Sequence, residues 1–174
     1  MPSFTTTDKH HITFQVSEED RDLVEAHLIG KGKWNALVKR GRIARNRSKK
    51  ECETDPSIPR FLSLHRAIAS RMGIDMTNQI DHINRDSSDN QRNNLRAATS
   101  QQNHMNQTKQ TGRSSLYKGV SWKGKNQKWQ AYGNIDRHFC YLGVFLTEME
   151  AAKAYDKWAK QNFGEFASLN FSEL

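Results

Sequence analysis

Ile80-Asp81-His82-Ile83-Asn84-Arg85-Asp86-Ser87-Ser88-Asp89-Asn90-Gln91-Arg92-Asn93-Asn94-Leu95-Arg96, continuing Ala97-Ala98-Thr99-Ser100-Gln101-Gln102-Asn103-His104-Met105-Asn106, is the stretch on which the reading of this chain turns. It starts as a short apolar strand bearing Asp-His and runs through a long polar loop. A second short strand follows, then a helix opened by Thr99 or Ser100. Polar side chains presented from two strands and a helix can converge on one point. A carboxylate, an imidazole and an amide oxygen meeting there suit a hard divalent cation beside a water-activating base. The competing reading makes Asp81, Asn90 and Asn94 turn-formers that bond to their own backbone, and an isolated Asp-His pair would favour it.

Upstream, Arg60–His65 reads as a strand entering a helix through Arg66–Met72, closed by Gly73. Cys52–Pro59 reads as a polar loop, and Lys33–Lys39 with Arg42–Arg47 as a basic hairpin about Arg40-Gly41. Ser17 and Asp20 have capping-box spacing ahead of Leu23, Val24 and Leu28, and His11–Ser17 alternates Ile12, Phe14 and Val16 with polar residues as a half-buried strand does. Downstream, Gln107–Ser115 has no apolar residue and reads as an inter-domain linker. Leu116–Lys123, Lys128–Ile135 and His138–Phe145 are three strand-like runs. Thr147 with Glu150 then forms a capping box ahead of Ala151, Ala152, Tyr155, Trp158, Ala159 and Phe163 at helical spacing.

Charge narrows the partner. The 174 residues hold 27 Lys and Arg against 19 Asp and Glu, a net charge of +8 that favours a polyanion. Residues 31–50 carry nine of those bases and no acid, and Lys109–Lys128 is again free of acid. Such runs can be no more than solvated surface. Trp34, Tyr117, Trp122, Trp129 and Tyr132 interleave with them, which turns the reading toward nucleic acid. Cys52 and Cys140 fit neither a disulfide framework nor a zinc site. With no apolar run of membrane-spanning length and no signal-peptide core, the chain reads as soluble and cytoplasmic, without a membrane partner.

Ile80-Asp81-His82, Asp89-Asn90, Asn93-Asn94-Leu95-Arg96 and the helix with Asn103 and Asn106 together resemble the HNH (ββα-metal) endonucleases of phages and homing introns. Leu64-His65-Arg66 resembles the segment that precedes the motif there, so the likeness covers about residues 60–107. It implies metal-dependent hydrolysis of DNA. His82 would be the general base, Asp81 and Asn103 would hold Mg²⁺ or Mn²⁺, and Asn94 would orient His82 through its backbone or side chain. The last letter of the motif is Asn103 rather than His, as in the homing subgroup, and an amide oxygen suits a hard cation. His65 reads as structural or as a phosphate contact, and His104, about 100° further round the helix, as pointing elsewhere. One difficulty is visible in advance: neighbours on a regular strand face opposite ways, so Asp81 and His82 share a site only where the strand twists or ends.

Tyr117-Lys118-Gly119-Val120-Ser121-Trp122, Lys128-Trp129-Gln130-Ala131, Tyr141-Leu142-Gly143-Val144-Phe145, Glu150–Asp156 and Phe163–Phe171 resemble the plant APETALA-two/ethylene-response-factor DNA-binding domain. That likeness covers about residues 114–171 and implies a sheet in the DNA major groove with a helix behind it. Strand parity agrees. Trp129, Ala131 and Ile135 on the second strand, Val120 and Trp122 on the first, and Cys140, Leu142 and Val144 on the third would face the helix. Ser121, Lys123, Lys128, Gln130, Tyr132, Asn134, Phe139 and Tyr141 would face outward, toward phosphates and base edges. Ser121, Asn134 and Phe139 stand where that family often has Arg, so its sequence preference does not transfer.

The expectation is an α+β chain. A nuclease region (1–108, motif core 60–107) and a linker (109–115) precede a three-stranded antiparallel sheet on one helix (116–174). The partner is double-stranded DNA, contacted by Lys118 and the outward sheet residues together with Arg40, Arg42, Arg45 and Arg47. The enzyme is expected to be a homing-type, monomeric nickase without an obligate protein partner. A DNA-binding regulator with an inactive nuclease half and an RNA-binding module are the rival readings.

Overall fold

Phe14 and Val16 both point into one core, and the strand that carries them, β2 (Thr13–Val16), organises the first of two units in the computed structural model. The described residues are 1–6, 11–26, 35–37, 42–46, 49–54, 60–109 and 114–171. The chain divides into Met1–Ala98 and Thr99–Leu174, with mixed α and β structure throughout. The second unit therefore begins ahead of the motif's helix.

In the first unit, β1 (Ser3–Thr5) pairs antiparallel with β2. A second sheet is formed by β3 (Asn35–Leu37), β4 (Arg42–Asn46) and β5 (Phe61–Ser63), all antiparallel. The turn of the expected basic hairpin, including Arg40, and also Arg47, lie outside the described residues, and only the backbone of Arg42 is described. Two short helices, α1 (Arg21–Glu25) and α2 (Lys49–Thr54), flank this sheet in sequence, and α2 runs through Cys52 where a loop was expected. The strand-to-helix reading near residue 60 holds: β5 leads into α3 (Leu64–Arg71), and Gly73 follows with φ +76°, a conformation costly for a residue with a Cβ. Val24, Ile43, Leu64, Ile68, Ile80 and Leu95 join Phe14 and Val16 in the core. Each such side chain contributes about 1.5–3 kcal/mol on burial.

The expected capping box at Ser17 does not form; a 3₁₀ turn over Glu18–Asp20 takes its place, with no side-chain cap. Ser17 Oγ instead accepts from the Arg92 amide at 2.9 Å, and the fully buried Asp20 grips Arg92 at 2.6 and 2.9 Å. Acids beside a helix start can equally serve a distant cation, and sequence spacing does not separate the two. On the surface, Arg71 forks onto Asp22 at 2.7 Å twice, and these bonds hold the Asp22 carboxyl down at about 2.

The second unit begins with α4 (Ser100–Asn106), opened by a complete capping box between Thr99 and Gln102. Next come β9 (Val120–Lys123), β10 (Lys128–Ile135) and β11 (His138–Phe145), antiparallel in the order β11-β10-β9, and α5 (Glu148–Phe163). The Thr147–Glu150 capping box is complete as expected. Val120, Ala131, Ala151 and Ala152 form the core, with Trp129, Leu142, Phe145 and Phe171 packed on it. Gly133 is required by contact: a Cβ there would land in the ring of Trp158. Parity fails at Trp122, expected inward but 42% exposed, at Gln130, expected outward but buried, and on β11. Ala131 pairs with Gly143 but Tyr132 pairs with Tyr141, so Leu142 is an extra residue on β11. Beyond this bulge the faces exchange. Val144, expected inward, is 39% exposed, and Phe145 takes its place in the core.

Candidate active site

Two strands carry the centre of the motif: β6 (Gln79–His82) pairs antiparallel with β8 (Leu95–Ala98), Asp81 opposite Arg96 and His82 opposite Leu95. Between them a short strand, β7 (Asp89–Asn90), leaves the ribbon and pairs in parallel with β2, Gln15 with Asp89 and Val16 with Asn90. The Gln15 amide also donates to Ser88 O at 2.9 Å. The N-terminal strand thus fixes the polar loop of the motif.

Asn90 is the residue this arrangement aims. It is almost fully buried, and its Nδ2 donates to Ser87 O and Ser88 O at 3.3 and 3.2 Å. Those two carbonyls orient the amide so that Oδ1 faces His82 Nε2, 3.2 Å away. The His65 ring on α3 lies 5.3 Å from the His82 ring, tilted by 50°. His65 is buried, so its place is beside the His82 ring, not on the surface. Asp86 sits in the same loop. The Ser88 hydroxyl and amide, and secondarily the nearby His82, hold its carboxyl below the usual range.

Asn94, expected to orient His82 through its backbone or side chain, has its side chain engaged within the loop. Its Oδ1 accepts from the Asn84 amide at 2.9 Å, and its Nδ2 donates to Asn84 Oδ1 at 2.9 Å and Asp89 O at 2.7 Å. Its carbonyl accepts from the Ile83 amide. Asn94 therefore ties both ends of the loop together, and the contact to the imidazole comes from Asn90. The sequence signal for Asn90 was its place in Asp89-Asn90, but a turn-former and an imidazole partner look alike in sequence.

Asp81 and His82 have different surroundings, as adjacent strand residues do. Asp81 is buried against Arg96, whose Nε and Nη2 lie 3.1 and 3.0 Å from Oδ2. Asn103 lies on α4, partly buried, in the second unit, and His104 beside it is exposed. Among the described residues no three His, Cys, Asp or Glu side chains come together as a metal cage. One carboxylate and one amide are a set of hard oxygen donors. Each is the kind of donor that a cation such as Mg²⁺ takes, with phosphate oxygens and water completing its shell.

Of the residues expected on DNA, Lys123 and Asn134 are exposed, Ser121 and Lys128 are half-buried, and Tyr141 is 60% exposed. Tyr132 stacks on Phe139 with centroids 5.6 Å apart, giving the outer face an aromatic centre. Three residues differ from expectation. Gln130 is buried in the row between Ser121 and Val144. Arg45 is buried in β4 and donates to Glu51 Oε1 at 2.7 Å, so its guanidinium faces an acid rather than solvent. Lys118 Nζ donates to Met105 O and Gln107 O at 2.6 and 2.7 Å, at the end of α4.

No helix among the described residues is long and apolar enough to cross a membrane. Residues 63–105 match the family model of the HNH endonucleases, a span running from the end of β5 through the ribbon and its loop into α4. No solved structure matches the chain. His82, Asn90 and Asp81 all lie inside that span, and the match supports an HNH-type endonuclease acting on DNA.

Proposed function

We propose that the chain is a metal-dependent, homing-type nicking endonuclease of the ββα-metal class. It cuts duplex DNA as a monomer, directed by its C-terminal sheet. The observation that carries the reading is the bond from Asn90 Oδ1 to His82 Nε2, with the Asn90 amide oriented by two backbone carbonyls. An oxygen acceptor at Nε2 requires the proton there, so neutral His82 presents the Nδ1 lone pair as its basic nitrogen. Nδ1 takes a proton from the attacking water, and the imidazolium formed keeps its bond to Asn90 with the Asp86 carboxylate nearby to favour the charge. Asp81, oriented by Arg96, and Asn103 would hold Mg²⁺ or Mn²⁺. When bound, that ion supplies electrophilic stabilisation at the scissile phosphate.

The sequence likeness to the APETALA-two/ethylene-response-factor domain supports a DNA-facing role for the outer face of β9–β11, where Ser121, Lys123, Lys128, Tyr132, Asn134 and Tyr141 would meet DNA. One base and one ion site support one strand cut per encounter. Supercoiled plasmid incubated with the protein and Mg²⁺ should give the open-circular form first, with no product in EDTA. His82→Ala should lower the rate by about 10²–10⁴-fold, the usual contribution of a general base, with DNA binding retained. Full activity of that variant would remove His82 from the mechanism, and direct conversion to linear DNA would remove the monomeric nickase.

A further inference from the structure

We infer that Lys118 is a positioning residue for Asn103, clamping the end of α4 to the sheet unit instead of contacting DNA. The inference rests on the reading of Asn103 as an ion ligand.

A seven-residue helix has little stability of its own and leaves its last carbonyls without helical partners. Here those carbonyls are taken by the sheet unit. Met105 O accepts from Lys118 Nζ and from the Ser168 amide at 3.2 Å, and Gln107 O accepts from the same ammonium. A cation at a helix C-terminus also complements the helix dipole. The Lys118 backbone is fixed in turn. Its amide donates to Asn170 Oδ1 at 2.6 Å and its carbonyl accepts from Asn170 Nδ2 at 3.0 Å. Asn170 is held by Asp156 of α5, buried, whose carboxylate accepts from the Asn170 amide at 2.8 Å and from Nδ2 at 2.9 Å. A continuous chain of bonds therefore runs from α5 through Asn170 and Lys118 to the turn that follows Asn103. Any ligand that Asn103 supplies is delivered with the sheet unit.

The test compares Lys118→Met, which keeps the stem and removes the donors, with Lys118→Arg and Asn103→Ala in the full chain. Three quantities are read: duplex binding and its salt slope in EDTA, the Mg²⁺ concentration for half-maximal nicking, and hydrogen exchange of the α4 amides. Lys118→Met should raise the Mg²⁺ midpoint by about 10-fold or more, as loss of a residue supporting a ligand does. It should speed exchange in α4 and leave the salt slope unchanged, and Lys118→Arg should recover most of both effects. A slope lowered in magnitude by about 0.9, with midpoint and exchange unchanged, would make Lys118 a phosphate contact and overturn the inference. If Asn103→Ala shifts the midpoint and Lys118→Met does not, the inference alone fails. If Asn103→Ala leaves the midpoint unmoved, the ligand reading fails and this inference with it.

Discussion

The polar loop between β6 and β8 and the outer face of β9–β11 both carry side chains with a proposed role, but they are fixed by different means. In the loop, Asn84, Asp89, Asn90 and Asn94 are bonded to one another or to backbone, and Asn90 in turn aims His82. On the sheet, Tyr132 leans on Phe139, and both rings stand over strands that α5 supports from behind. A hydrogen-bonded amide has a direction, which a proton acceptor needs. A stacked ring offers area with little direction, which would suit the proposed DNA-facing surface if it slides along DNA before settling. Chemistry and recognition have been given the two kinds of interaction that match their tolerances.

The strongest way to break this comparison is at the charge pair that anchors the loop's far end. Asp20→Ala should destabilise the first unit by about 3 kcal/mol, the lower end for breaking a buried pair because Arg92 keeps access to water. A thermal or urea midpoint unchanged from wild type would mean that the loop does not depend on Asp20. Next in size is Asn90→Ala, which leaves the base in place but unaimed. Nicking should fall by about 10²-fold, as for a small misplacement of a catalytic group, while sheet-dependent DNA binding stays constant. A rate within a factor of two of wild type would show that His82 needs no orienter. Smallest is the Tyr132–Phe139 stack, whose coupling in a double-alanine cycle should be about 0.5–1.5 kcal/mol in DNA affinity or stability. A larger coupling would mean that the outer face is as directional as the loop.

Much of this was legible in the sequence, and the exceptions share a cause. The helix start at Thr99, the capping box at Thr147, the β5–α3 junction and the three strands of the second unit follow local rules, and local rules survive folding. What was misread depended on contacts outside the local run of residues. Strand parity gave β11 correctly up to Leu142 and inverted it beyond, because a bulge is set by the register with β10 and not by the strand itself. Arg45 belonged to a basic run, yet packing on β4 turned it toward Glu51. Asn94 and Asn90 are the same residue type in one loop. Only the parallel pairing of β7 with β2 decides which of them meets the imidazole.

That parallel pairing joins residues 15–16 to 89–90, a separation close to half the length of the chain. Closing so long a loop costs entropy before any contact repays it, and contacts of this kind slow folding. As the polypeptide leaves the ribosome, β2 can pair with β1 at once, but its other edge has no strand to pair with until the loop between β6 and β8 follows. Asn90 reaches His82 only when that closure is made. On the proposed role of His82, a nascent chain could already hold its helices and hairpins while its base is not yet aimed.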